Sequence, residues 1–241
     1  FIPSCVTPPR DCCTGVTQLT TTGNIRMQAL FENIDQVWAA FLNTLLLLAV
    51  GGVGASLIGT FVALLRISPI PALRMIATVY TELVRNTPLT LVFFLVIVVL
   101  PVLNLGLDSM AGAFLALSIY TSPFIAEALR SGVNGVPMGQ AEAARSLGLN
   151  FNQTIRYVIF PQAMRMVVPP LINVFIALTK NTSVASGFYV VELVAQSKIL
   201  ANANGDQVIS MLLGIALFYL IITVPLGLVA ARIERKVAVL R

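Results

Sequence analysis

Long apolar runs alternate along the chain with short polar stretches. A polar stretch extends from Phe1 to about Val37, rich in Thr, Pro and Asn, and ends in a short amphipathic entry over Met27 to Val37. Apolar runs then cover Trp38 to Leu65, Met75 to Leu103, Ser109 to Leu129, Ala163 to Leu178 and Val208 to Ala231. About 20 such residues cross a hydrocarbon core of ~30 Å as a helix. Strict in-out alternation is absent, which argues against a β-barrel. The pattern predicts an all-α membrane protein with about five transmembrane helices. Three parts follow: a tail and entry segment over 1–37, a membrane domain over 38–236 and a short tail over 237–241. Segment 184–207 is less apolar and contains Ser186-Gly187 and Asn202-Ala203-Asn204-Gly205. It reads either as a short external helix ending in a loop or as a re-entrant gate.

Composition agrees and removes several function classes. Hydrophobic residues make up 57% of the chain and charged ones 10%, against about 25% charged in an average soluble domain. The mean hydropathy is +0.90. A water-soluble globule of this size would lack the polar surface to cover itself. There is no histidine, so Ser-His and Cys-His nucleophilic pairs, imidazole proton shuttles and His metal ligands are excluded. Cys5, Cys12 and Cys13 have no metal-ligand spacing around them. They are compatible with one disulfide, from Cys5 to either Cys12 or Cys13, or with a loose tail of unpaired thiols. No cleavable signal peptide is expected, since its three-part pattern is missing from the start. No Gly-x-x-x-x-Gly-Lys-Ser/Thr phosphate loop occurs, so the chain has no ATP site of that kind.

The formal charge of +5 would suggest nucleic acid in a soluble protein, but here its placement matters more. Arg66, Arg74, Arg130, Arg145, Arg156, Arg165, Arg232, Arg235, Lys236 and Arg241, ten of the 15 basic residues, fall in segments that can share one side. Arg10 and Arg26 lie on the other, offset by Asp11, Glu32, Asp35, Asp108 and Asp206. The positive-inside rule then puts the N-terminus outside and the C-terminus in the cytoplasm. No nucleic-acid partner is expected; the surroundings are membrane lipid. Trp38 suits either an interfacial anchor or ordinary packing.

The stretch from Gly139 to Pro161 is the most informative loop. Residues Gln140 to Leu147 are good helix formers, Gly148 suits the left-handed position after a helix, and Asn150 or Asn152 can cap a second short helix. Pro161 marks a break before the fourth span. The result is a helix-turn-helix on the cytoplasmic face, in which Ala143 and Ala144 let another protein approach closely and Glu142 and Arg145 offer polar handles. A plain amphipathic linker along the interface is the other reading.

Glu142-Ala143-Ala144, three residues, Gly148, nine residues, Val158, one residue, Phe160 and Pro161 resemble the signature of ABC importer permeases, with Val158 and Phe160 replacing the commoner Ile and Leu. The flanks resemble the polar amino-acid uptake branch: Arg85-Asn-Thr-Pro88-Leu, Glu127-Ala-Leu-Arg130-Ser-Gly132, Pro169-Pro170-Leu-Ile-Asn173 and Ala177-Leu-Thr-Lys180-Asn181-Thr182-Ser183. Val84 to Thr90, Tyr120-Thr-Ser122 and Leu178 to Thr182 look most like actinobacterial glutamate permeases. The resemblance covers roughly residues 38 to 236. It implies the type I permease fold in a bacterial cell membrane, with 139–161 as a coupling loop whose helix docks in a cleft of a cytoplasmic ATPase. It further implies a homologous second permease subunit in a heteromer, an extracytoplasmic amino-acid-binding protein, and ATP and Mg bound by the ATPase, none in this chain. Coupling to the ATPase falls to Glu142, Ala143, Ala144, Arg145 and Gly148.

Charge at membrane depth costs about 2.5–3.5 kcal/mol per residue on insertion scales and usually faces a cavity or a partner. Arg85 suits a substrate α-carboxylate, which a guanidinium grips bidentately. Asn86 and Thr87 assist it, and Pro88 frees backbone groups to line a cavity. The alternative is a structural Glu82–Arg85 pair one turn apart. Thr182 and Ser183 supply hydroxyls to the pathway or cap the fourth helix. Glu127 and Arg130 read as a structural pair; Lys180, Glu192 and Lys198 complete the set. The functional expectation is a non-catalytic transport subunit for a polar amino acid, glutamate first. The rival, a secondary transporter driven by an ion gradient, leaves the 139–161 loop unexplained.

Overall fold

A computed structural model describes residues 28–205 and 207–238. The three cysteines, Arg10, Arg26, Met27, Asp206 and Arg241 lie outside the described residues. Among the described residues every regular element is helical: α1 (Gln28–Glu32), α2 (Ile34–Ile67), α3 (Pro71–Arg85), α4 (Leu89–Val102), α5 (Ser109–Asn134), α6 (Met138–Ser146), α7 (Phe151–Gly187), α8 (Leu193–Ala203) and α9 (Val208–Ala238). Helices α2, α5, α7 and α9 are each long and apolar enough to span a membrane. Helices α3 and α4 reach that length and apolarity only together, as a pair bent by 103°, the geometry of a broken span or a re-entrant loop. The described residues thus form four spans, or five with this pair.

Local chemistry sets these boundaries. Asp108 caps α5, its carboxylate accepting the N–H groups of Met110 and Ala111 at 3.2 Å each. Pro71 opens α3 where its missing donor is harmless. The break after Arg85 follows from Pro88: the Thr87 N–H turns back to Val84 O at 3.2 Å, and α4 restarts on the Pro88 carbonyl.

The fourth span departs from expectation. It is one helix from Phe151 to Gly187, 37 residues, and Pro161 does not break it. A π-helical turn over Thr154–Ile159 precedes the proline, and the Phe160 N–H reaches Ile155 O, five residues back. That wider turn takes the proline without ending the helix. A second π turn over Leu95–Val99 lies in α4. In segment 184–207 the chain forms the short helix α8, which ends at Asn204.

Three apolar clusters hold the bundle. The largest joins α2, α4, α5 and α7 around the fully buried Phe93, Leu117 and Leu178. A second ties Leu30 and the start of α2 to α8 and to Met211 and Ile215 of α9. A third gathers Val62, Ala63, Ala77 and Ala126 from α2, α3 and α5. The broad apolar outer faces of α2 and α9 stay exposed, as lipid-facing surfaces do. Trp38 is among the exposed residues, its ring 5.4 Å from that of Phe41.

Candidate functional site

The 139–161 stretch folds from its own signals. Helix α6 ends in a complete C-capping motif: Gly148 N–H donates to Arg145 O at 2.9 Å and Leu149 N–H to Ala144 O at 3.2 Å. Gly148 sits at φ +82, the left-handed conformation its type allows. The next cap is Asn150: its side chain accepts the Gln153 N–H at 2.9 Å while the Gln153 side chain accepts the Asn150 N–H at 3.0 Å.

Helix α6 leans on the π turn that opens α7, so its faces are unequal. Glu142, Ala143 and Arg145 point outward and are exposed. Ala144 does not share that surface; it is buried inside the chain because it is the residue against which the turn closes. Leu147, 83% exposed, and Met138 stand at the two ends of the outward face, and Phe151 continues it. A short rigid helix with apolar anchors and polar handles, held by a spanning helix, can pass a push from a partner into the membrane.

The second constellation sits at the break between α3 and α4. Arg85 does not pair with Glu82. Its guanidinium lies 5.7 Å from the centroid of the Phe124 ring on α5, a cation–π distance. The Asn86 amide takes up the end of α3 instead, donating to Glu82 O at 2.8 Å and weakly to the Glu82 carboxylate at 3.4 Å. Thr87 Oγ1 donates to Leu83 O at 2.7 Å. Phe124 also lines a cavity of about 410 Å³ between α5 and α7, with Tyr120, Thr121, Asn173 and Asn181 as its polar lining residues. Thr121 is buried, and its Oγ1 has no hydrogen-bond partner. The cavity thus carries the Thr121 hydroxyl without a partner, the Tyr120 phenol, two amides and a neighbouring cation in an otherwise apolar lining.

Thr182 and Ser183 do not join it. Thr182 is fully buried and donates to Thr179 O at 2.7 Å, and Ser183 Oγ donates to Lys180 O at 2.7 Å; both shape the 3-10 turn that closes α7. Thr121, Asn173 and Asn181 went without a role in sequence reasoning. Tyr120-Thr-Ser122 stood out only as a family likeness, and no periodicity marks a hydroxyl that lacks a partner. Glu127 and Arg130 do pair, and Arg66 at the end of α2 donates to the same carboxylate at 2.5 Å. Among the described residues no cluster of three or more acidic, cysteine or histidine groups could hold a metal.

Residues 55–239 match the family model described as binding-protein-dependent transport system inner membrane component. The chain is 36% identical over 212 residues to the probable glutamine ABC transporter permease protein GlnM of Bacillus subtilis, covering 88% of this chain and 98% of that one. It is 43% identical over 216 residues to the glutamate transport system permease protein GluC of Corynebacterium efficiens, covering 83% and 93%. A crystal structure of an amino acid ABC transporter with histidines superposes with a TM-score of 0.81 at 28% identity, covering 90% of this chain and all of that one.

Proposed function

The chain belongs to the binding-protein-dependent transport system inner membrane components, as an amino-acid ABC importer permease, and we propose that it carries glutamate through a heteromeric permease pair. The N-terminus lies outside and the C-terminus in the cytoplasm, the arrangement favoured by the basic residues at the end bearing α6. An external binding protein delivers the substrate. Two ATPase subunits bind ATP and Mg, and their closure is transmitted through α6 by the exposed Glu142, Ala143 and Arg145 and the turn at Gly148. Ala144 serves from the inside, fixing the angle of α6 on α7. The observation that carries this reading is α6 itself: a nine-residue helix, capped at its end and braced on a spanning helix, with its functional face turned out.

For the substrate, Arg85 receives a carboxylate, with Asn86 and Thr87 holding the break open. A volume of about 410 Å³ suits a small amino acid, within the ~300–1,000 Å³ range of ligand pockets. Thr121 Oγ1 and the Asn173 and Asn181 amides provide the hydrogen bonds that an amino acid leaving water must recover. The relative from Corynebacterium efficiens is a glutamate permease by description, which supports glutamate as a substrate.

Reconstitution in liposomes with the ATPase and the binding protein tests both parts. Labelled glutamate uptake is expected to require internal or external ATP at the ATPase face and to persist with no ion gradient. Gradient-driven uptake without ATP would sink the reading. Arg85→Gln removes a charged hydrogen-bond donor and is expected to lower uptake roughly 10- to 100-fold, equivalent to about 1.5–3 kcal/mol, with ATPase association unchanged. Gly148→Val is expected to do the reverse, weakening association while the chain remains inserted.

A further inference from the structure

The third apolar cluster ends in charge. Val62, Ala63, Ala77 and Ala126 bring α2, α3 and α5 together. One turn beyond it, toward the end bearing α6, each helix places an arginine: Arg66 after Ala63, Arg130 after Ala126, and Arg74 before Ala77 on the helix that runs the other way. One carboxylate serves two of them. Arg66 Nη1 donates to Glu127 Oε2 at 2.5 Å and Arg130 Nη2 donates to Glu127 Oε1. Arg74 has no ion pair among the described residues.

The donors outnumber what Glu127 can accept. Two guanidinium groups carry ten N–H donors between them, and both carboxylate oxygens are already engaged. Arg130 Nε is buried with no hydrogen-bond partner. The cluster still has access to the outside, since the Arg66 and Arg130 side chains are 12% and 39% exposed. With Arg74 it carries a formal excess of two positive charges. Exposed Leu64 and Ile67 in the last turn of α2 and Ile70 before α3 lie close to Arg66 and Arg74 along the chain. A ligand that fits has a tetrahedral oxyanion for the guanidinium forks and a tail for the apolar edge.

We propose that Arg66, Arg74 and Arg130 bind the phosphate group of an anionic phospholipid at this end of the bundle. Guanidinium forks match phosphate oxygens bidentately, and a phosphate supplies the acceptors that Glu127 lacks. Basic pockets between spanning helices are suited to lipid headgroups. A lipid seated there bridges α2, α3 and α5 beside the α5–α6 connection.

Native mass spectrometry of the full chain in detergent tests this, with phosphatidylglycerol, phosphatidylcholine and inorganic phosphate as probes. Retention of phosphatidylglycerol over phosphatidylcholine is expected. It should fall about tenfold or more in Arg130→Gln, the loss expected for a charged hydrogen bond, and stay unchanged in Arg235→Gln. Glu127→Gln keeps every arginine and removes the competing carboxylate, so its retention should match or exceed that of the unaltered protein. Equal retention of the two lipids, or no loss in Arg130→Gln with helicity intact, overturns the proposal. If Arg130→Gln fails to fold, a loss in Glu127→Gln overturns it instead. Displacement of the lipid by inorganic phosphate would support the same phosphate site with a soluble occupant; persistence in excess phosphate assigns it to the lipid.

Discussion

Tyr189 holds its backbone at φ 61 with its side chain 90% exposed. A left-handed conformation costs a non-glycine residue roughly 1–2 kcal/mol, and no burial of the ring compensates for it. The neighbours impose the strain. Phe188 stacks on Phe93 with centroids 5.2 Å apart, Val190 is buried, and the Asn43 amide on α2 donates to Val191 O at 2.8 Å. Both sides of Tyr189 are therefore pinned, and the residue between them takes the angle that remains. Tyr189→Gly is expected to raise stability by about 1 kcal/mol, the strain relief less the entropy glycine adds to the unfolded chain, measured by thermal unfolding in detergent. An unchanged or lowered melting temperature would mean that the ring itself does the stabilising. The contrast with Gly148 shows what a sequence reveals at this scale. Its φ of +82 was legible because a run of helix formers stops at a glycine. Tyr189 left no such mark, since its angle is imposed by contacts from α2 and α4.

Helices were legible wherever their apolar runs were long, and Pro88 was legible as a residue that frees backbone groups. The size of the bend was not, because proline removes a donor without choosing a direction. Pro161 was misread for a related reason: its effect depends on the turn before it, and a π turn cannot be read from composition. Close packing was equally hidden. A Cβ on Gly59 in α2 would come within 2.6 Å of Ser122 O and 2.8 Å of Ile125 Cβ on α5. The first of those is backbone, so the two helices would have to separate. Gly139 in α6 has nothing within 4 Å of the same position. Gly59→Ala is expected to destabilise by about 1–3 kcal/mol, as overpacking does. Gly139→Ala should be neutral or stabilise by up to about 1 kcal/mol through helix propensity. Paired melting curves check this, and a Gly59→Ala protein as stable as the parent would show that α2 and α5 can move apart freely.

At the scale of the whole molecule, the connection between α7 and α9 depends on one buried acid. Glu192 is fully buried and caps α8, its carboxylate accepting the N–H groups of Val194 at 3.0 Å and Ala195 at 2.9 Å. The Tyr219 hydroxyl on α9 donates to it at 2.8 Å. Leu193 N–H donates to Thr44 Oγ1 at 3.2 Å and the Gln196 amide to Gln36 Oε1 at 2.8 Å, so α2 is drawn into the same knot. From the sequence Glu192 was only a charge in a mixed segment near Lys198. Its tyrosine is 27 residues away, and Lys198 instead donates to Ser186 Oγ at 3.1 Å. Burial raises the Glu192 pKa above its ordinary value of 4.5, against the pull of the three donors and Lys198. A folded-state value above the unfolded one means that the folded protein holds this proton more tightly. The stability it contributes is therefore full below 4.5 and lost as pH rises through the folded value. The melting temperature is expected to fall over that window in the unaltered protein. In Glu192→Gln, which cannot ionise, the slope should flatten although the variant is less stable throughout, because one cap N–H loses its acceptor. Parallel slopes in the two proteins would remove Glu192 as the titrating group. A flattened slope would make the joint between α2, α8 and α9 one that loosens as its central carboxylate ionises.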